Sequence, residues 1–196
     1  MPTYFHFHSP NTHFDEQLDT YQCSHTQNNR RCKNRVCIGL SMCWIHTRFN
    51  LHIKVTNSKI HNAGVGLFAF DNKQADNAII FRKGDKICDY NGEIIDEAEL
   101  HRRYGDKTAP YAIQINTDGR YEDGATHRGI GTLLNSPTGT THRPNCRFSV
   151  GKDRKAHIVA TRNIKNGEEL YISYGRAYRF NEQGVQSTTN NKKNNI

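Results

Sequence analysis

The sequence predicts a mainly β protein of short strands, preceded by a small cysteine-rich module. Three observations carry this. Apolar runs are brief and alternate with polar residues, as half-buried strands do. The 196-residue chain holds 15 glycines, which suits many turns and argues against an all-helical protein. Four of its 6 cysteines fall between residues 21 and 48.

The elements follow in chain order. Residues 1–20 show no clear period and are expected to form a flexible arm. Residues 21–50 read as a Cys3His zinc module, 51–180 as the main β domain. Residues 181–196, rich in Asn, Gln, Ser, Thr and Lys, read as a disordered polar tail. Leu51 to Val55 alternates apolar with polar residues, Ala78 to Phe81 is a brief apolar run, and Asp85 to Tyr90 alternates again. Asp96 to Tyr104 is the best short helix, with Asp96 as cap and Glu99 three residues on, as in a capping box. Tyr111 to Ile115, Arg147 to Val150 and His157 to Ala160 read as strands. Asn62-Ala63-Gly64 and Asn91-Gly92 are good turn sequences.

Composition narrows the function classes. No apolar stretch reaches the ~18 residues of a membrane span. The polar, His-rich N-terminus has no secretory signal pattern. The expectation is an intracellular protein without a membrane partner. A net charge of +8 and a pI near 9.2 favour acidic partners, so nucleic-acid contact competes with plain solvated charge.

Cys23, Cys32, Cys43 and His46 are spaced C-x8-C-x10-C-x2-H. Two ligands three positions apart can face one ion, and thiolates with one imidazole favour zinc in a closed structural site. A module of about 28 residues cannot fold on apolar burial alone, so metal would supply the missing stability. Cys37 competes with Cys32 as third thiolate, and disulfides or isolated thiols are the alternatives. Arg30, Arg31, Lys33, Arg35 and Arg48 surround the cluster. Cys88 and Cys146 read as buried thiols.

Three motifs occur in order: Asn62-Ala63-Gly64-Val65-Gly66-Leu67-Phe68-Ala69, then Asn135 with Pro144-Asn145-Cys146, then Gly167-Glu168-Glu169-Leu170 running into Tyr171-Ile172-Ser173-Tyr174-Gly175. Together they resemble the SET-domain protein-lysine methyltransferases, most of all the compact type of large DNA viruses. The resemblance spans roughly residues 51–180. It implies a SET fold with a knot-like C-terminal crossing. It also implies S-adenosylmethionine as methyl donor and a lysine-bearing protein, by default histone, as substrate at chromatin or in the nucleus. By the same resemblance Gly64, Val65, Gly66, Asn135 and Ser136 hold the donor. Tyr174 is the catalytic tyrosine, and Tyr90 and Tyr111 join it around a lysine channel completed by Phe148, Ile172 and Tyr178. Asp123 keeps the family's distance from Asn135.

The sequence departs from the family in two places. Ser136 stands where the family has histidine, and about four extra residues precede Pro144. No cysteines follow Gly175, so Tyr178 and Phe180 are expected to cover the channel. Ile172 and Phe148 carry no hydroxyl to limit the product, which implies room for more than one methyl. Free lysine titrates near 10.4, so presenting it neutral costs roughly 4 kcal/mol at neutral pH, which a dry aromatic channel lowers. A narrow tunnel also aligns amine and methyl. The rival reading is a catalytically weak SET scaffold that serves as a nucleic-acid or chromatin-binding adaptor. Taken alone, Tyr174 reads as a core tyrosine at a strand end, Asn91-Gly92 beside Tyr90 as a hairpin tip, and the segment of Tyr178 and Phe180 as a frayed tail.

Overall fold

The computed structural model describes residues 20–176 and 178, with the strands Phe5–Phe7 and Glu16–Leu18, which pair antiparallel. The rest of the predicted arm, Phe180 and the predicted tail lie outside the described residues. The structure is mainly β, as the sequence predicts. Among the described residues the strands gather into sheets of only two or three, because turn-formers interrupt them. Ile53–Asn57 and Val65–Ala69 form a hairpin whose loop turns on Asn62 and Gly64, both at positive φ. Lys86–Asp89, Ala156–Ala160 and Cys146–Val150 form one antiparallel sheet, and Glu93–Asp96, Arg120–Asp123 and Ala112–Gln114 another. Asn91-Gly92 is therefore the link between two sheets, not the tip of a hairpin. The inward residues of these strands, among them Ile53, Leu67, Ile87 and Ile158, make one core with Ile172 of the C-terminal segment. Each buried aliphatic side chain contributes up to about 1.5–3 kcal/mol.

The predicted helix is present at Glu97–Tyr104, and the Asp96 carboxylate accepts from Glu99 N at 2.8 Å. The other half of the capping box differs. The Glu99 carboxylate takes Arg102 and Arg103 at 2.6–2.7 Å, because guanidinium donors outcompete a neutral amide. A second helix, Trp44–Leu51, has no counterpart in the sequence reading, and the following strand starts at Ile53, not at Leu51. Its signal is weak because Cys43 at the cap gives no side-chain bond. Tertiary demand sets it: one turn, with Thr47 N donating to Cys43 O at 2.9 Å, brings His46 over Cys43.

Two fully buried carboxylates tie the sheets together. Glu122 accepts from Gly92 N at 2.9 Å and Ala156 N at 2.7 Å. Asp123 accepts from the Tyr104 hydroxyl and from Arg103, whose buried fork also reaches Glu93 and Glu99. The C-terminal segment then passes between two earlier ones. Ile172 N donates to Asn135 O at 3.0 Å on one side, while Cys146 N donates to Tyr171 O at 2.9 Å on the other. Both pairings are parallel. This is the knot-like crossing, and such threading is rare among folds. Among the described residues no helix is long and apolar enough to cross a membrane.

Candidate active site

The crossing builds a slender cavity of about 40 Å³. A water-sized group takes about 10–15 Å³ by the same measure, so the space suits a narrow side chain. The structure brings all six residues that the sequence assigns to the channel to this cavity: Tyr90, Tyr111, Phe148, Ile172, Tyr174 and Tyr178. They arrive from several elements. Tyr90 follows the Lys86–Asp89 strand, Phe148 lies in Cys146–Val150, and Ile172 and Tyr174 belong to the threaded segment. The Tyr90 and Phe148 rings meet edge to face at 5.8 Å, and Tyr174 tilts against Tyr178 at 4.7 Å. The hydroxyls are fixed by main chain: Tyr90 donates to the Tyr111 carbonyl, and Tyr174 donates to the Leu134 carbonyl at 2.7 Å. Burial holds the Tyr174 and Tyr90 phenols well above their usual range and pushes Tyr178 up to about 12. These three phenols are uncharged at neutral pH, and Tyr174 is no ready proton acceptor there.

The glycine turn lies just behind this wall. Leu134 lines the cavity, and the next residue, Asn135, donates from Nδ2 to Val65 O at 2.9 Å. A Cβ on Gly64 would meet open space, although φ there is +69°, which leaves bare main chain for a ligand. At Gly66 a Cβ would overlap the Glu169 carboxylate and come within 3.2 Å of Asn135 Nδ2. The donor set fits a ligand gripped through backbone groups, as S-adenosylmethionine would need. Ser136 is buried, and its hydroxyl meets Thr138 Oγ1 at 3.0 Å.

Two features of this region have no role in the sequence reading. Glu169 is buried and accepts from the Ser58 hydroxyl at 2.6 Å, Lys59 N at 2.7 Å and the Tyr171 hydroxyl at 2.7 Å. It clamps the hairpin loop to the threaded segment. The signal was the Gly-Glu-Glu-Leu motif itself, but the partners Ser58 and Lys59 are more than 100 residues away in sequence. The second is His142, which stacks on Tyr171 with ring centroids 5.1 Å apart. It comes from the extra loop, which folds back through Thr140 Oγ1 donating to Pro137 O at 2.7 Å. So the chain that lacks histidine at 136 carries one on the same crossing, over a residue of the threaded segment.

A separate cysteine centre precedes the hairpin. The ligand atoms of Cys23, Cys32, Cys43 and His46 lie within 4.8 Å of one another. His46 Nδ1 sits 3.2 Å from Cys43 Sγ and 3.5 Å from Cys23 Sγ, near the ~3.6 Å edge of a tetrahedron with zinc–sulfur bonds of about 2.3 Å. Main-chain N–H groups of Cys43 and Asn34 point at Cys23 Sγ and Cys32 Sγ, as they do around thiolates. His25 stacks on His46 at 3.8 Å. Cys37 stands outside this group, and no cysteine is in a disulfide. Burial pushes the Cys146 thiol up to about 12, in keeping with an inert core residue.

The threaded segment, the glycine turn behind it and the tyrosine-walled cavity define a SET-type fold. The SET domain model matches residues 64–175, more than half of the chain, and the chain belongs to that family. It is 24% identical over 176 residues to the histone-lysine N-methyltransferase EZH2 of Chaetomium thermophilum, a match that takes in 85% of this chain and 10% of the relative. The crystal structure of the Chaetomium thermophilum polycomb repressive complex 2 (PRC2) matches with 24% identity and a TM-score of 0.50, over 65% of this chain and 16% of that chain. An inhibitor-bound humanized mutant of the same complex matches with 23% identity and a TM-score of 0.50, over 64% of this chain and 15% of that one. The chain thus spans about a tenth of the curated relative, and the solved structures speak for the fold alone.

Proposed function

We propose that the protein is an S-adenosylmethionine-dependent protein-lysine N-methyltransferase that acts on histone at chromatin, in the nucleus or wherever chromatin is exposed. One observation carries the reading: six side chains from several distant segments converge on one cavity, whose lining residue Leu134 adjoins the Asn135 that bonds the Gly64-Val65-Gly66 turn. The donor supplies an electrophilic methyl on a sulfonium. The chain's own residues do the rest. Gly64, Val65, Gly66, Asn135 and Ser136 hold the donor through main chain and short side chains. The apolar wall of Phe148 and Ile172 disfavours the lysine ammonium, so the amine enters neutral. Tyr90, Tyr111 and Tyr178 confine it, which fixes the line of attack. Tyr174, held on the Leu134 carbonyl, keeps its oxygen beside the reacting end and stabilises positive charge there. Neither Ile172 nor Phe148 offers a hydroxyl, so the channel accepts an amine that already bears a methyl. Cys23, Cys32, Cys43 and His46 hold a structural zinc.

The test is methyl transfer from labelled donor to nucleosomes and free histones, with product mass. Tyr174→Phe is expected to lower kcat by about 100-fold, the scale of one preorganised electrostatic group, with donor affinity unchanged. Donor binding without transfer to any protein overturns the enzyme reading, and no donor binding at all leaves the adaptor. Product that stops at one methyl under exhaustive turnover overturns the multiple-methylation part.

A further inference from the structure

We propose that Arg128 is a positioning residue for the lysine channel, and that the cysteine module holds it in place. The inference rests on the methyltransferase reading for the meaning of the channel. Its geometry is independent of that reading.

Tyr111 lines the cavity and Arg128 does not, yet the Arg128 guanidinium lies 4.4 Å from the centre of the Tyr111 ring. The ring is therefore held between a cation and the channel. Such a contact fixes ring orientation because the guanidinium seeks the ring face. Tyr111 in turn fixes Tyr90, whose hydroxyl donates to the Tyr111 carbonyl. One cation thus covers a channel tyrosine whose main-chain carbonyl holds a second.

The other end of Arg128 is anchored in the module. Arg128 N donates to Ile38 O at 2.8 Å. Gly39, at φ +96°, packs so tightly that a Cβ would lie 2.6 Å from Arg128 N. Its carbonyl accepts from Asn91 Nδ2, next to Tyr90. The Ile38-Gly39 turn is closed by Leu40 N donating to Cys37 O at 3.0 Å, and it lies in sequence between Cys32 and Cys43 of the cluster. The module therefore meets Asn91, beside Tyr90, and Arg128, which covers Tyr111, and acts as a strut for that wall. The family resemblance, carried by motifs from residue 62 onward, gives no reason for this module, and the strut does.

Two variants and two readouts test this. Arg128→Met keeps bulk and removes charge, and Gly39→Ala pushes Arg128 from outside the channel. With histone as substrate, each is expected to raise peptide KM about tenfold, the scale of one desolvated cation–ring contact, with kcat within threefold and donor Kd unchanged. Arg128→Lys, which keeps a cation, should restore KM to within about threefold of the parent. The second readout needs no activity. In protein labelled with 3-fluorotyrosine, the Tyr111 fluorine signal, assigned through Tyr111→Phe, should move in Arg128→Met and Gly39→Ala. The Tyr104 signal, whose hydroxyl is engaged by Asp123, should stay. If the unmodified chain transfers no methyl, the function fails while the fluorine signals still decide the strut. An unmoved Tyr111 signal in either variant, or equal movement of Tyr104, overturns the inference.

Discussion

Gly66→Ala is the sharpest perturbation that the site offers. The new methyl would overlap the Glu169 carboxylate, with the carboxyl carbon at 3.1 Å and Asn135 Nδ2 at 3.2 Å. Ordinary contacts begin near 3.4 Å, so Glu169 must move. That carboxylate cannot move freely, because it accepts three hydrogen bonds of 2.6–2.7 Å from Ser58, Lys59 and Tyr171. A hydrogen bond to a charged group contributes about 1.5–3 kcal/mol, and losing one is the least that the shift requires. Overpacking adds about 1–3 kcal/mol. The expected loss is roughly 2.5–6 kcal/mol, or a fall in Tm of about 5–24 °C for a chain of this size. Because Asn135 is displaced as well, donor affinity should drop at least tenfold. Gly64→Ala is the control for stability alone: it meets no atom within 4 Å and costs the fold only the strain of its positive φ, about 1 kcal/mol. Urea unfolding and calorimetric titration with S-adenosylmethionine measure both effects. If Gly66→Ala keeps its Tm and donor affinity, Glu169 does not seat the turn. The same conclusion follows if the cost of Gly66→Ala stays equally large in a Glu169→Ala background, where the clash is gone.

The remaining predictions concern the rest of the chain. Arg103→Ala leaves Asp123 and Glu93 uncompensated and should cost about 3–5 kcal/mol in urea unfolding; a cost below 1 kcal/mol would remove the network from the fold's supports. Hydrogen bonds from Arg102 and then Arg103 hold Glu99 down to about 2, and Glu93 is also lowered, where bonds from Thr126 and Arg103 outweigh burial. A folded pKa below the unfolded one stabilises above the unfolded value, so stability from this pair is complete above about pH 4.5 and is lost as pH falls toward 2. Arg103→Ala should flatten that acid limb. Zinc content by mass spectrometry should be one per chain, lost in Cys32→Ser and Cys43→Ser and kept in Cys37→Ser; the reverse pattern for Cys32 and Cys37 would reassign the third thiolate. Between residues 20 and 70 the chain carries Arg30, Arg31, Lys33, Arg35, Arg48, Lys54 and Lys59 and no acid. Its single tryptophan, Trp44, is half-exposed on a groove shared with Arg35. Single-stranded oligonucleotide should quench Trp44 fluorescence with an affinity that falls steeply with salt; no quenching, or quenching indifferent to salt, excludes nucleic acid from this face.

Much of this protein was legible in its sequence because motif order encodes chain threading. The Gly-x-Gly, the Asn135 and Asn145 pair and the final tyrosine must lie in that order for the last segment to pass between the other two. The alternation of Ala156–Ala160 reports sheet faces directly, since side chains alternate with a period of two, whereas in Lys86–Asp89 a register shift buries the neighbours Ile87 and Cys88 together. The four candidate metal ligands were legible as spacing, yet spacing alone left Cys32 and Cys37 level. Only the fold separated them, by carrying Cys37 away toward Arg128. The helix Trp44–Leu51 was hidden because neither propensity nor capping specifies it. Glu169 and His142 were visible as residues but not as contacts. Each meets groups that chain folding alone brings near, and a buried carboxylate finds its partners by desolvation, which no local pattern records. Sequence settled the order and the chemistry of the parts. Tertiary packing decided which side chains share a cavity, because burial and hydrogen-bond satisfaction are properties of the assembled chain.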